Sequence, residues 1–114
     1  MHLVTTSLAA AQLVAPKGRI DQTTAEDFRA ALAPHLANCT EGLPPLILDF
    51  AEVPYISSVG LRVLMLAARQ VTSQKGRIAI ANLVPTVREV FAISRFDLVL
   101  KTYDSVEAAA AAFQ

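Results

Sequence analysis

The order of its apolar segments predicts that this chain has an α/β fold, with a mixed, mostly parallel sheet of about five strands and about four helices. Two short apolar runs and a helix come first, and three strand–helix units follow. The run at residues 46–48 is apolar without alternation, which is typical of a strand covered on both faces. With 114 residues, of which 54% are hydrophobic, the chain is long enough to bury a core as a single domain over residues 1–114.

The first part of the chain predicts two strands followed by a helix. Residues 3–8 and 11–15 are short apolar runs that end at a Pro-Lys-Gly turn, which indicates strands. Thr23 and Glu26 have the spacing of a capping box, so we expect a helix that starts there and ends near Asn38. An apolar residue recurs at every fourth position of this helix, at Phe28, Leu32 and Leu36.

The middle of the chain predicts a strand, a loop and a second helix. The strand at residues 46–48 closes at Asp49, and a turn at residues 52–54 follows. Either Ser57 or Ser58 is the natural N-cap, because a serine side chain accepts hydrogen bonds from the free N–H groups of a first helical turn. Helical spacing is then sustained by Leu61, Leu64, Met65, Ala68 and Val71.

The last part predicts two further strand–helix units. Residues 77–81 form a strand, and Pro85 opens a helix. We expect the last strand at residues 98–100 and the start of a final helix at Asp104 and Ser105. One side of the helix that Pro85 opens carries Val87, Val90 and Phe91.

Charge and hydropathy argue against two classes of partner. Ten basic residues balance ten acidic ones, which leaves no excess charge for binding nucleic acid. Arg62 and Arg69 interrupt the most apolar segment, so no run reaches the roughly 20 apolar residues of a membrane span. The apolar opening from Met1 to Pro16 lacks a charged leader and is broken by Gln12, which argues against an export signal. We therefore expect a cytoplasmic protein without direct membrane insertion.

Few side chains have the chemistry of a catalytic or metal site. No CxxC, HExxH, GxGxxG or GxxxxGK motif occurs, so we predict no metal and no cofactor, and the sequence gives no basis for predicting a nucleotide site. Cys39 has no disulfide partner within the chain, and we expect a small buried or loop residue rather than a nucleophile. His2 lies at the terminus. His35 lies near the carboxyl end of the first helix, where the helix dipole stabilises an imidazole, so neither histidine is a convincing ligand.

The segment 49–61 is the best candidate for a functional site, because function in open α/β sheets concentrates where loops leave the carboxyl ends of strands. The start of a helix offers free N–H groups and a positive dipole end, so a phosphate on Ser58 would be tolerated there. It would add a charge of about −1.5 to −2 without disturbing the fold beneath. The alternative is that Ser57 and Ser58 only cap the helix.

The helix that follows carries a candidate partner-binding patch. On a helical wheel, Arg62, Arg69 and Ser73 form one polar stripe, which Met65 and Leu66 flank. Large apolar side chains beside a pair of arginines are typical of a surface that binds a protein. The alternative is that Met65 reaches into the core, since methionine adapts to such edges.

Asp49 ends the buried strand just before the candidate segment. We expect its carboxylate to bind backbone amides and so to fix the loop at residues 50–57. A second interpretation is that it helps to coordinate an ion together with a phosphate of a partner. The first interpretation is favoured because Asp commonly bonds to the backbone that follows it.

The segment LILDFAEVPYISSVGLRVLMLAAR, at residues 46–69, resembles the signature of STAS domains of the anti-sigma-factor antagonist type. In that signature a strand, an Asp and a turn bearing Ser precede a helix. A looser resemblance extends through REVFAISRFDLVLKTYDSVEAA at residues 88–109. Arg95 stands where relatives commonly carry Gly, so we expect a less regular helix end there.

The resemblance implies a protein that acts in partner switching and is not an enzyme. The unphosphorylated antagonist binds an anti-sigma factor that is also a serine kinase and so frees a sigma factor; phosphorylation ends the binding, and a phosphoserine phosphatase restores it. The resemblance implies that the phosphorylated residue is Ser58, by its position two residues before Gly60. Ser57 is the second choice, because this chain has Ser-Ser-Val-Gly where the family often has Asp-Ser-Ser-Gly. The implied partner-binding residues are Ser57, Ser58, Val59, Gly60, Arg62, Met65, Leu66 and Arg69.

Two other functions are alternatives to this one. Some STAS proteins are stable subunits of membrane complexes, such as lipid-transport ATPase assemblies, and need no phosphorylation cycle. A small hydrolase that uses Ser58 with His35 is disfavoured, because the GxSxG elbow is missing.

Overall fold

A single sheet carries the fold in the computed structural model, which describes residues 3–8 and 11–113. Its strands are β1 (Leu3–Leu8), β2 (Ala11–Pro16), β3 (Leu46–Asp49), β4 (Ile78–Ala81) and β5 (Thr102–Tyr103). The helices in these ranges are α1 (Ala25–Ala37), α2 (Ser58–Ser73), α3 (Pro85–Ile93) and α4 (Val106–Ala112), and a 3₁₀ turn spans Phe96–Leu98. His2 and residues 9–10 of the apolar opening lie outside the described ranges.

The strands follow one another across the sheet in the order of the sequence. β1 pairs with β2 antiparallel, and β2, β3, β4 and β5 are parallel neighbours. Leu48 in β3 lies opposite Val14 on one side and Ile80 on the other. This confirms the predicted mixed, mostly parallel sheet.

The two faces of the sheet are covered by different helices. The parallel crossovers all run in one direction along the sheet, so they place α1, α2 and α3 on the same face. Leu46 and Leu48 point into that larger core, while Ile47 between them points to the other face and packs with Ala109 of α4. The prediction that residues 46–48 are covered on both faces is therefore confirmed.

The predicted capping box at the start of α1 is wrong. Thr24 rather than Thr23 is the N-cap, and its side chain makes no capping bond. The Thr24 hydroxyl instead donates to the carbonyl of Arg19 at 2.8 Å and accepts from the N–H of Asp21 at 2.9 Å. Glu26 binds the Arg29 guanidinium. The Thr23 hydroxyl donates to Asp21, so neither residue of the expected box caps the helix. The predicted end near Asn38 is confirmed.

The predicted last strand at residues 98–100 is also wrong, since Leu98 ends the 3₁₀ turn and is 78% exposed. Phe96 packs edge-on against Phe91, with ring centroids 5.1 Å apart, and this contact holds the chain in a turn. Pairing with β4 starts only at Thr102.

Arg95 explains the shape of this turn. Its backbone has φ 58° and ψ 25°, the left-handed conformation, directly after Ser94 caps α3. A side chain strains this conformation, which favours glycine. The irregular helix end expected from the sequence is present.

The described part of the chain contains no helix long and apolar enough to cross a membrane.

Candidate functional site

The loop that leads from β3 into α2 is tied along its length to the segment that precedes α1. The N–H of Gly18 donates to the carbonyl of Glu52, and the N–H of Ile20 donates to the carbonyl of Tyr55, each at 2.9 Å. The N–H of Ser57 donates back to the carbonyl of Ile20 at 2.9 Å. These backbone bonds fix the position at which α2 begins.

Asp49 holds the first residues of the same loop. Its Oδ1 accepts from the N–H of Ala51 at 3.0 Å and from Nδ2 of Asn82, at the end of β4, at 3.2 Å. The carboxylate therefore bonds to the loop amide that follows it and links the ends of two neighbouring strands. Within the described ranges no group of His, Cys, Asp and Glu side chains is arranged to hold a metal ion.

Gly60 allows α2 to start close to the core. It is buried, and a Cβ built on it would lie 2.7 Å from Cγ2 of Ile20 and 2.7 Å from Cγ1 of Ile56. Those two residues form an isolated parallel bridge. Gly60 thus faces the interior, and its lack of a Cβ is what permits this close approach.

The two adjacent serines have different surroundings. Ser57 is the N-cap and is half-buried, and its Oγ accepts from the N–H of Gly60 at 3.3 Å. Ser58 is the first residue of α2 and is exposed. Across the described residues no hydrogen bond engages the Ser58 hydroxyl. One serine is committed to the helix, and the other is free at the surface.

The outer face of α2 presents the patch predicted from the helical wheel. Arg62, Arg69 and Ser73 are exposed, and Val59 near the start of the helix is 44% exposed. Leu66 is 47% exposed and lines a groove between α2 and α1.

Met65 has features of both interpretations that the sequence left open, a core residue and a surface residue. It is half-buried and packs against the main core, yet it also lines a surface hollow together with Ser58, Leu61, Arg62 and Phe96. Phe96 comes from the 3₁₀ turn and was not among the predicted site residues. The apolar segment around residue 96 was the available signal, but the wrongly predicted strand at residues 98–100 gave no reason to expect a contact with α2.

A cation lies over an aromatic ring beside the loop. The Arg19 guanidinium carbon is 4.4 Å from the centre of the Tyr55 ring, and Arg19 also approaches Asp21 at 3.6 Å. The Thr23 hydroxyl and backbone N–H both donate to Asp21, and these bonds lower the pKa of the Asp21 carboxyl from its ordinary value. No sequence motif indicates these contacts of Arg19 and Asp21.

The structure does not bring Ser58 and His35 together. His35 lines a hollow with Cys39 and Leu46 at the amino end of β3, whereas Ser58 follows the loop from the carboxyl end of that strand. Cys39 is buried, and its Sγ lies 3.2 Å from the carbonyl oxygen of Arg77. The arrangement offers no support for a Ser–His hydrolase.

Comparisons with known proteins identify the family of the chain. The sequence profile of the STAS domain matches residues 5–109. A protein named anti-sigma factor antagonist BtrV, from Bordetella bronchiseptica, is 41% identical over 98 residues, which are 86% of this chain and 82% of that protein.

Solved structures share the fold at lower identity. An anti-sigma factor antagonist from Mycobacterium paratuberculosis aligns with a TM-score of 0.85 and 21% identity, covering 98% of this chain and 92% of its own. SpoIIAA in its unphosphorylated form aligns with a TM-score of 0.73 and 20% identity over 97% of this chain and 96% of its own. The phosphorylated form of the Bacillus SpoIIAA aligns with a TM-score of 0.67 and 19% identity over 97% and 99%. The chain therefore belongs to the STAS domain family, and its relatives include proteins named anti-sigma factor antagonists.

Proposed function

We propose that this protein is an anti-sigma factor antagonist controlled by phosphorylation of Ser58. In its unphosphorylated form it binds an anti-sigma factor that has serine kinase activity, and the sigma factor is released. The kinase transfers the γ-phosphoryl group of ATP to Oγ of Ser58, with loss of the hydroxyl proton and release of ADP. A phosphoserine phosphatase hydrolyses the ester and restores binding.

The observation that carries this proposal is the unequal environment of the two serines. A kinase needs a hydroxyl that it can reach, and Ser58 is exposed with no hydrogen bond to another described residue. The Ser57 hydroxyl is half-buried and engaged with Gly60. A kinase would have to reach the Ser57 Oγ while it accepts from the N–H of Gly60, whereas the exposed Ser58 hydroxyl has no such bond.

Charge accounts for the direction of the switch. A phosphate adds about −1.5 to −2 charges at neutral pH. In the middle of a protein interface such a group has to be desolvated, which weakens binding by at least about 1 kcal/mol and by several kcal/mol at most. Since about 1.4 kcal/mol is a factor of ten in affinity, one modified serine is enough to change occupancy.

The fold itself tolerates the modification. Ser58 is followed by the free N–H groups of the first turn of α2, and the positive end of the helix dipole favours a negative charge there. The alignments with SpoIIAA in both its unphosphorylated and phosphorylated forms support the view that this fold is compatible with a phosphate.

The remaining residues of the site have supporting roles in this proposal. Arg62, Met65, Leu66 and Arg69 form the surface that the anti-sigma factor contacts, with Val59 beside the acceptor serine. Asp49 and Gly60 position this surface: the first fixes the start of the loop, and the second sets the depth of α2.

The test combines the modification state with binding. Protein isolated from its host with phosphatase inhibitors is analysed by mass spectrometry for phosphate on Ser57 and Ser58. The kinase-type anti-sigma factors of the same host are purified, and their affinities for the wild type, Ser58→Ala and Ser58→Asp are measured. We expect Ser58→Ala to bind and to resist phosphorylation, and Ser58→Asp to lose at least about fivefold in affinity.

Ala108→Asp is the control. Ala108 is an exposed residue in the first turn of α4, on the opposite face of the sheet from α2, so a negative charge placed there should change affinity much less. Tight binding by Ser58→Asp would contradict the proposal. Absence of phosphate in the host together with stable co-purification with a membrane ATPase subunit would favour the alternative, a subunit of a membrane complex without a phosphorylation cycle.

A further inference from the structure

The charges on α2 are all of one sign. The helix contains Arg62 and Arg69 and not a single Asp or Glu. Neither arginine has an ion pair in the described part of the chain. Five other basic residues are paired with carboxylates: Lys17, Arg19, Arg29, Lys75 and Arg88.

Arg62 lies one helical turn after Ser58. Both are exposed, and both line the surface hollow that Phe96 also lines. Residues four apart on a helix have Cβ atoms about 5–6 Å apart, and an anion placed four residues before a cation is the more favourable order. An anionic group on Ser58 would therefore lie within reach of the Arg62 guanidinium.

We propose that Arg62 binds the phosphate carried by Ser58, so that phosphorylation converts an exposed, unpaired arginine into half of an ion pair within α2. The planar guanidinium can donate two parallel hydrogen bonds to phosphate oxygens. This inference depends on the proposed function only for the presence of the phosphate. It assigns to Arg62 a part in the regulation of the site.

Arg19 and Arg69 are less suitably placed than Arg62. Arg19 is already engaged with Asp21 and with the ring of Tyr55. Arg69 is 11 residues beyond Ser58, which corresponds to about 16 Å along a helix. Asp97, the carboxylate in the neighbouring 3₁₀ turn, is exposed and makes no ion pair with Arg62.

The pairing changes the surface of α2 in two ways at once. The phosphate adds negative charge, and Arg62 no longer offers a free positive charge to a partner. An acidic partner surface that uses Arg62 in the unphosphorylated state would meet repulsion and would also lose an attractive contact. Specificity for the unmodified form then comes from both effects.

The experiment uses the full chain with phosphoserine installed at position 58 during translation, so neither a kinase nor a partner is needed. The second pKa of the phosphate, about 6 in the absence of neighbours, is measured by ³¹P NMR titration at low salt. We expect Arg62→Gln to raise this pKa by roughly 0.2–0.4 pH unit. Arg69→Gln, the matched control on the same face, should leave it unchanged.

A second measurement checks the contact itself. The Nε–H resonance of Arg62 should shift on phosphorylation and return towards its original position when salt screens the pair. Equal phosphate pKa values in the wild type and Arg62→Gln, or equal effects of the two substitutions, would overturn the inference. A host protein that is never phosphorylated would instead overturn the proposed function and leave the measured pairing intact.

Discussion

The Oγ of Ser57 accepts a hydrogen bond from the N–H of Gly60 at 3.3 Å, and this bond gives two adjacent serines different roles. It satisfies one of the free donors at the start of α2 and commits the Ser57 hydroxyl to stability. Ser58 is left exposed and without such a role. The local cap thus makes Ser58 the more accessible acceptor.

Removing the Ser57 hydroxyl, which caps α2, should lower the stability of the fold. Removing the Ser58 hydroxyl, the proposed phosphorylation site, should not. We expect Ser57→Ala to lower the free energy of unfolding by about 1 kcal/mol, because the N–H of Gly60 loses its partner. Ser58→Ala should stay within about 0.5 kcal/mol of the wild type, as is usual for exposed positions. Urea denaturation followed by circular dichroism measures both. Equal losses for the two variants would show that Ser58 also contributes to the cap.

Gly76 should tolerate no side chain. A Cβ built on it would overlap sterically with the backbone carbonyl of Cys39. A backbone group cannot move away as a side chain can. We expect Gly76→Ala to destabilise the fold by about 2–3 kcal/mol through the backbone shift that it forces. Gly42→Ala is the control, since Gly42 has open space around it but φ +83°. Its cost should be only about 1 kcal/mol of backbone strain, and a larger loss at Gly42 than at Gly76 would contradict this explanation.

Arg95→Gly should stabilise the protein. Arg95 is held at φ 58°, where a residue with a Cβ is strained and glycine is not. After the greater flexibility of glycine in the unfolded chain is counted, we expect a gain of about 0.5–1 kcal/mol in the free energy of unfolding. Ala92→Gly, inside α3, should lose about 1 kcal/mol. Thermal and urea unfolding of the two variants should therefore move in opposite directions, and a loss in both would refute the strain argument.

Asp21 should titrate below its ordinary value of 3.8, because the Thr23 hydroxyl and then the Thr23 N–H donate to its carboxylate. A carboxyl whose pKa is lowered in the folded state adds stability at pH values above its unfolded pKa, and that stability is lost as the pH falls through the folded pKa. We expect Thr23→Ala to raise the Asp21 pKa towards the ordinary value and to flatten the loss of stability in acid. Carboxyl ¹³C NMR titration measures the pKa, with Thr72→Ala as the control. An unchanged pKa in Thr23→Ala would show that this hydroxyl is not the main cause.

Periodicity and composition in the sequence were sufficient to predict the layered fold. The apolar run at residues 46–48 and the spacing of Leu64 and Val71 report burial within single elements, and burial depends mainly on local pattern. The exposed positions of Arg62 and Arg69 follow from the same periodicity. The motif around Ser58 also predicted the loop that leads from β3 into α2.

Only the tertiary structure decided which partner each polar group takes and where the chain turns. The Thr24 hydroxyl bonds to Arg19 instead of capping α1, and Phe96 packs on Phe91 and keeps residues 96–98 out of the sheet. The same holds for the bond that separates Ser57 from Ser58. These contacts join residues only three to five positions apart. Which of several nearby partners a hydroxyl or a ring takes depends on the backbone conformation that the packed fold imposes, and a linear pattern of hydrophobic residues contains no record of that conformation.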